Sequence, residues 1–424
     1  MRWSARYTLW SYLRSSMWVV PLAAYLASAV LIRLLGYLDE SLGWSWNWTI
    51  APETARNGLQ VFVAAMLSFI VFTFGSLLVA IQVASAQLTP RIIATTLLRD
   101  NPIRCIVALF VLTMAFAVGV LVRTEDRVPY LLLTVALTLT AASVAAFLYL
   151  IDYAARLLRP VGIVWRVGED GLAVLEEVYP ARIKGSHVPS PPPPALGSGT
   201  REITHRGTSG IVLAVDLDRL RREAERTGGI IEVMHRVGDF VSVDEAIFRL
   251  HDGAAQADDE VLRAAMAFGP ERTLEQDATF AFRVIVDIAI KALSSAINDP
   301  TTAVLAIDQL HRLLRAVGRR HLHDDIIRDS AGDLRVVFRT PNWEDFVTLA
   351  CREIRIYGAS NFQVARRLRA MLENLSRTLP EARTPALREE LELLDWTLEQ
   401  LHMAPRDLAL ARMPDLQGLG STSR

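Results

Sequence analysis

Four apolar stretches, Met17–Leu38, Gly58–Gln82, Ile103–Val122 and Val128–Ile151, dominate the first third of this 424-residue chain. Each holds about 20 or more residues, enough at 1.5 Å rise per residue to cross a hydrocarbon core of roughly 30 Å. The pattern predicts a membrane α-helical protein with four transmembrane helices. A large polar portion follows the last of them. Met17–Leu38 is too long for the apolar core of a signal peptide, and no small-residue cleavage site precedes the polar segment that follows it.

Charge sets the expected topology. Arg2, Arg6 and Arg14 precede the first span; Arg91, Arg99 and Arg104 lie between the second and third; Arg156, Arg159 and Arg166 follow the fourth. The positive-inside rule puts all three groups in the cytoplasm, and both termini with them. Arg123-Thr-Glu-Asp-Arg127 then forms an external turn whose two acids balance its two arginines. Trp44, Trp46 and Trp48 suit the water–lipid boundary of the first external loop, and Trp3, Tyr7, Trp10 and Arg14 recur as in an interfacial helix. Residues 161–424 carry 33 basic and 39 acidic side chains. That acidic balance argues against nonspecific nucleic-acid binding, so the expected partners are the lipid bilayer and a possible homo-oligomer, with any ligand or ion unknown.

The second span is the unusual one. Asn57, Ala64, Ser68, Gly75 and Gln82 recur at steps of seven and four and fall near one face of a helix. Polar groups in hydrocarbon are costly unless they face protein or water. Two readings stand: close helix–helix packing through small and amide residues, or a permeation path with Ser68, Gly75 and Gln82 as pore-lining candidates. No Asp, Glu, Lys or His lies in the middle of any span, which disfavours a proton- or ion-coupled transporter. Thr134 and Thr138 are expected to bond back to their own helix, and Asp152 to pair with Arg156 one turn on.

The chain divides by pattern into a four-span domain with an N-terminal interfacial helix (1–160), a small α+β cytoplasmic subdomain (161–256), a helical cytoplasmic subdomain (257–404) and a flexible tail (405–424). Partial alternation over 161–184 reads as a short strand region, and 185–200, with four consecutive prolines, as an exposed loop. Gly210–Asp216, Ile230–Arg236 and, with a short interruption, Phe240–Leu250 read as strands, and Leu217–Arg226 as a helix. The turn Val237–Val241 resembles those of lipoyl and biotinyl carrier domains, but it has no lysine to carry a group. From Asp258 the pattern is largely helical. Thr279–Ile297 is an apolar helix whose Arg283, Asp287 and Lys291 form one ladder, too costly in charge for a fifth span. Asp299 and Pro300 read as N-cap and first residue of the next helix. A strand-like piece over Leu334–Arg339 precedes helices near Trp343–Leu379 and Ala386–His402.

No catalytic motif, cofactor fingerprint or metal-ligand spacing is present. His321 and His323 with Asp324 and Asp325 lack a further ligand at a fixed spacing. Cys105 and Cys351 fall in different domains and in no paired motif, so neither a disulfide nor a metal site is expected. Catalytic residues, metal and cofactors are each expected to be none.

Four segments, in order, resemble one family: Val83-Ala-Ser-Ala-Gln-Leu-Thr-Pro-Arg91, Gly238-Asp-Phe-Val241, Glu275-Gln-Asp277, and Val286-Asp-Ile-Ala-Ile-Lys-Ala-Leu-Ser-Ser-Ala-Ile-Asn-Asp-Pro-Thr-Thr-Ala303. The chain is similar over nearly its whole length to the DUF2254 family of predicted bacterial membrane proteins, with Ser295 standing where that pattern has proline. The resemblance implies a multi-pass protein of the bacterial inner membrane and brings no substrate. It directs attention to Asp277, Asp287, Asn298 and Asp299, for which capping, a turn and an ion pair are sufficient structural roles. The expected function is a homo-oligomeric, channel-like protein with a cytoplasmic regulatory domain. The alternative is a membrane-anchored sensor or scaffold that binds a ligand or protein through that domain.

Overall fold

The structure is a computed structural model that describes residues 13, 16–42, 50–87, 101–124, 128–157, 159–183, 196, 199–274, 276–322 and 325–419. The expected external loop with Trp44–Trp48, the expected N-terminal interfacial helix, most of the proline-rich segment, residues 88–100 between the second and third spans, the core of the expected Arg123–Arg127 turn, Glu275, His323 and Asp324 lie outside the described residues. The chain forms two units: Tyr12–Ala86 with Pro90–Gly162, and a second built chiefly from Ile163–Arg424.

The first unit holds helices α1 (Val19–Leu42), α2 (Pro52–Gln87), α3 (Asn101–Arg123) and α4 (Tyr130–Leu157). Each contains a stretch long and apolar enough to cross a membrane: Val19–Ser41, Pro52–Val79, Asn101–Arg123 and Tyr130–Ala154. Polar side chains here are used locally. Thr134 and Thr138 donate to the Tyr130 and Val135 carbonyls at 2.7 and 2.8 Å. Thr113 and Ser143 share a buried hydrogen bond of 2.9 Å between α3 and α4. Asp39, buried near the end of α1, accepts the Leu131 N–H at 2.9 Å and so satisfies a donor in the open first turn of α4. Span α2 meets its neighbours through large side chains: Phe69 stacks on Phe147 with ring centroids 4.1 Å apart and tilts against Phe110 at 5.7 Å. Arg156 pairs with Asp152 at the end of α4.

The second unit opens within α5 (Pro160–Val178), at Ile163. This overturns the strand reading of 161–184. Ile163, Val164, Val167, Val174 and Leu175 are its buried apolar side chains, a helical spacing, and Pro160 suits a first helical turn. Strands β1 (Arg201–Thr204) and β2 (Gly210–Val215) follow, then α6 (Leu217–Thr227), capped by Asp216 on the Arg219 N–H at 3.0 Å. Next come β3 (Gly229–Val233), β4 (Phe240–Val241), β5 (Ala246–Asp252), the short α7 (Asp259–Arg263) and β6 (Met266–Gly269).

Helices α8 (Ala278–Ala292) and α9 (Pro300–Gly318), strands β7 (Ile326–Arg328) and β8 (Leu334–Val337), and helices α10 (Trp343–Gly358), α11 (Phe362–Thr378), α12 (Thr384–Gln400) and α13 (Pro405–Ala411) complete it. One sheet has the order β1-β5-β3-β8-β7, antiparallel except for β3 beside β8; the other is β4-β2-β6, antiparallel throughout. Strands from either side of residue 257 therefore share both sheets, and β6, unread in the sequence, pairs with β2. Val212, Leu220, Ile231, Phe248, Leu250 and Met266 build the core beneath them.

Helix α8 is enclosed almost all round, with Phe280, Phe282, Val284, Ile285 and Ile288 buried. The stretch read as one helix from Trp343 to Leu379 is two. Asn361 breaks it by accepting the Gln363 N–H at 3.0 Å and the Val364 N–H at 3.3 Å as a new N-cap. The expected tail is also different. After α13, Arg366 donates to the Met413 carbonyl at 3.0 Å, the Asp415 N–H to the Arg366 carbonyl at 3.2 Å, and Arg367 to the Leu416 carbonyl at 3.1 Å. Arginines of α11 thus hold backbone that composition alone marks as loose.

Candidate functional site

In the membrane unit the polar stripe of α2 is turned outward. Ala55, Leu59, Met66, Thr73 and Leu77 are its buried side. Asn57, Ala64, Ser68, Gly75 and Gln82 are all exposed, on the opposite side of the helix at 3.6 residues per turn. The Ser68 hydroxyl donates to the Ala64 carbonyl at 3.0 Å. A Cβ placed on Gly75 would meet nothing within 4 Å. Gln82 lies beyond Val79, where the apolar part of the helix ends. The stripe is therefore not used for packing among the described helices of one chain.

Arg33 is a membrane residue that the sequence reading passed over, because that reading considered Asp, Glu, Lys and His at mid-span. It is the one charged residue inside Met17–Leu38. It lies on the exposed side of α1 and makes no hydrogen bond or ion pair among the described residues. By contrast, Arg123 donates to the Ile32 carbonyl at 3.1 Å and Arg104 reaches the Leu13 carbonyl at 3.5 Å. An arginine at the centre of a span costs about 2.5–3.5 kcal/mol on insertion scales.

In the second unit, two of the motif segments meet. Asp277 caps α8: its Oδ1 accepts the Phe280 N–H at 3.1 Å and the Thr279 hydroxyl. Its Oδ2 stands 3.4 Å from Nε of Arg272, and that same Nε donates to the Gly238 carbonyl at 3.0 Å. Gly238 has φ +95°, and a Cβ there would fall 2.2 Å from the Arg272 guanidinium and 2.6 Å from Asp277 Oδ2. Beside this junction the Arg236 N–H donates to Asp239 at 2.8 Å, and the Arg236 guanidinium to Asp345 at 3.3 Å. Burial pushes the Asp277 carboxyl above the usual aspartate range, against the lowering pull of Thr279 and Arg272. Burial, followed by the negative charges of Asp277 and Asp325, pushes the Tyr179 phenol well above its ordinary value. Gln276 of the same segment accepts the Val215 N–H at 3.2 Å.

The other motif residues serve α8 and α9. Asp287 pairs with Arg283, which also grips Glu353 of α10. Asn298 sits in the left-handed region at φ 49°, a conformation asparagine tolerates better than most residues. Asp299 caps α9 on the Thr302 N–H at 3.1 Å, with Pro300 as the first helical residue. Asp277 and Asp299 thus cap neighbouring helices, and no described group of three or more His, Cys, Asp or Glu residues is placed to hold a metal. Asp325, next to the polar segment with His321 and His323, accepts the Thr340 N–H at 2.8 Å. Cys105 is exposed and Cys351 buried, and both are free thiols.

Four apolar helices followed by a mixed sheet-and-helix unit define a multi-span membrane protein. The chain belongs to the DUF2254 family, described as a predicted membrane protein, whose model matches residues 14–374. It is 29% identical over 400 residues to uncharacterized proteins of Mycobacterium tuberculosis and Mycobacterium bovis, covering 90% of this chain and 75% of each relative. No solved structure matches it.

Proposed function

We propose that this protein is the subunit of a homo-oligomeric, channel-like permeation path lined by α2. The observation that supports this reading is the outward position of Ser68 and Gly75, opposite the buried side of their own helix. Polar groups against lipid are costly, and bringing several such faces together around water relieves that cost. In this reading the protein sits in the inner membrane with both termini in the cytoplasm, following the arginine distribution. The second unit gates or assembles the path and performs no catalysis.

The test is flux through purified full-length protein in liposomes, with fluorescent reporters for K⁺, Cl⁻ and protons. A leak that Ser68→Leu with Gln82→Leu abolishes supports the lining. A leak unchanged by those substitutions reduces the stripe to packing between copies. No leak of any ion from correctly inserted protein favours the alternative, a membrane-anchored sensor or scaffold.

A further inference from the structure

We propose that Arg33 is a binding site for the phosphate of an anionic lipid headgroup. The residue lies eight positions before Ser41, the end of its span, which is about 12 Å or more than two helical turns inside. Its side of α1 is apolar and outward: Leu26, Val30 and Tyr37 are 60, 66 and 71% exposed. The opposite side is the packed one, where Ser28 and Asp39 are buried and Ile32 lies against Gly119 of α3. Arg33 therefore faces the hydrocarbon and not the interior of its own bundle.

A guanidinium in that position carries a positive charge and five N–H donors in a fixed fork. It needs an anion, and no described residue supplies one. Glu40, seven residues on, shares the face but is exposed near the helix end, nearly two turns away. A phosphodiester matches the forked donors of arginine and is carried by the lipid itself. The long side chain, reaching along the helix toward the headgroups, meets it part of the way. Tyr37, one turn closer to the end, offers an amphipathic ring at the depth where such groups settle.

The site is independent of permeation, so its test stands apart from the flux assay. Full-length protein in neutral detergent is melted with added phosphatidylglycerol, phosphatidylcholine, or inorganic phosphate at matched ionic strength. The wild-type Tm is expected to rise by several degrees with phosphatidylglycerol alone. Arg33→Gln should lose more than half of that rise, and Arg33→Lys should keep most of it. Arg56→Gln, which removes a charge near the start of α2, is the control and should keep the full rise. The proposal is overturned if phosphatidylglycerol leaves the wild-type Tm unchanged, or if Arg33→Gln responds as the wild type does. An equal rise with inorganic phosphate would make the ligand a free anion and overturn the lipid assignment.

Discussion

Arg272 donates to the carbonyl of Gly238 at 3.0 Å, and this one bond ties the turn between β3 and β4 to the segment that starts α8. The same guanidinium lies beside the buried carboxylate of Asp277. A turn and a helix cap from two separate sequence motifs, joined by Arg272 from outside both, form a single junction that leaves no space for a side chain at Gly238.

Substituting Gly238 by alanine should therefore destabilise the second unit. The positive φ costs an alanine strain, and its Cβ would displace Arg272. Together these predict a loss of about 1–3 kcal/mol, read as a lower denaturation midpoint of the full-length protein in detergent.

Asp277 predicts a pH dependence. Its folded carboxyl binds a proton more tightly than the unfolded one, whose value is near 3.8. The folded state then holds the extra proton between the two values, and stability falls as pH rises through that window and levels off above it. Asp277→Asn cannot titrate. Measured as Tm against pH, the wild type should lose stability relative to Asp277→Asn over this window, and the difference should be flat above it.

The cap at α9 is a simpler case. Asp299→Ala removes the acceptor of the Thr302 N–H while Pro300 still starts the helix. Loss of an N-cap predicts about 0.5–2 kcal/mol of destabilisation by chemical denaturation. Asp299→Ser, which restores an acceptor, should recover most of it.

In the membrane unit, Gly119 is where α3 meets α1. A Cβ there would stand 2.3 Å from Cδ1 of Ile32. Small residues let membrane helices approach closely, so Gly119→Leu should force the two helices apart at about 1–3 kcal/mol, read as a lower Tm in detergent. Gly58→Leu, at a glycine with nothing within 4 Å of a would-be Cβ, should leave the Tm nearly unchanged.

Several features were open to inspection of the sequence because their cause is local. Asp299-Pro300 caps and starts a helix through bonds to the next turn. The α6 stretch and strands β2, β3 and β5 follow from short-range periodicity and turn residues. The segment 161–178 was misread because a partial alternation is compatible with two periods, and only the burial of Ile163, Val167 and Val174 selects the helical one. Strand β6 was missed because four residues, Met266–Gly269, carry no period and are stabilised by pairing with β2, about fifty positions earlier. At the candidate sites the limits were similar. The stripe of Ser68, Gly75 and Gln82 was visible; Arg33 was not singled out, because one arginine in an apolar stretch gains meaning only from the side of the helix it occupies. The meeting of Gly238, Arg272 and Asp277 was not visible.

Length and hydropathy alone establish four membrane-crossing helices, because an apolar stretch of that size has one inexpensive place to go. They equally establish that a polar, mixed unit follows. The direction each helix face takes was decided by tertiary packing. Periodicity names the polar face of α2 without saying whether neighbours cover it, and the structure turns that face outward while Thr73 and Met66 face in. The same holds for Arg33: its charge is written in the chain, but its outward position, with no partner among the described residues, follows only from where α3 and α4 pack against α1.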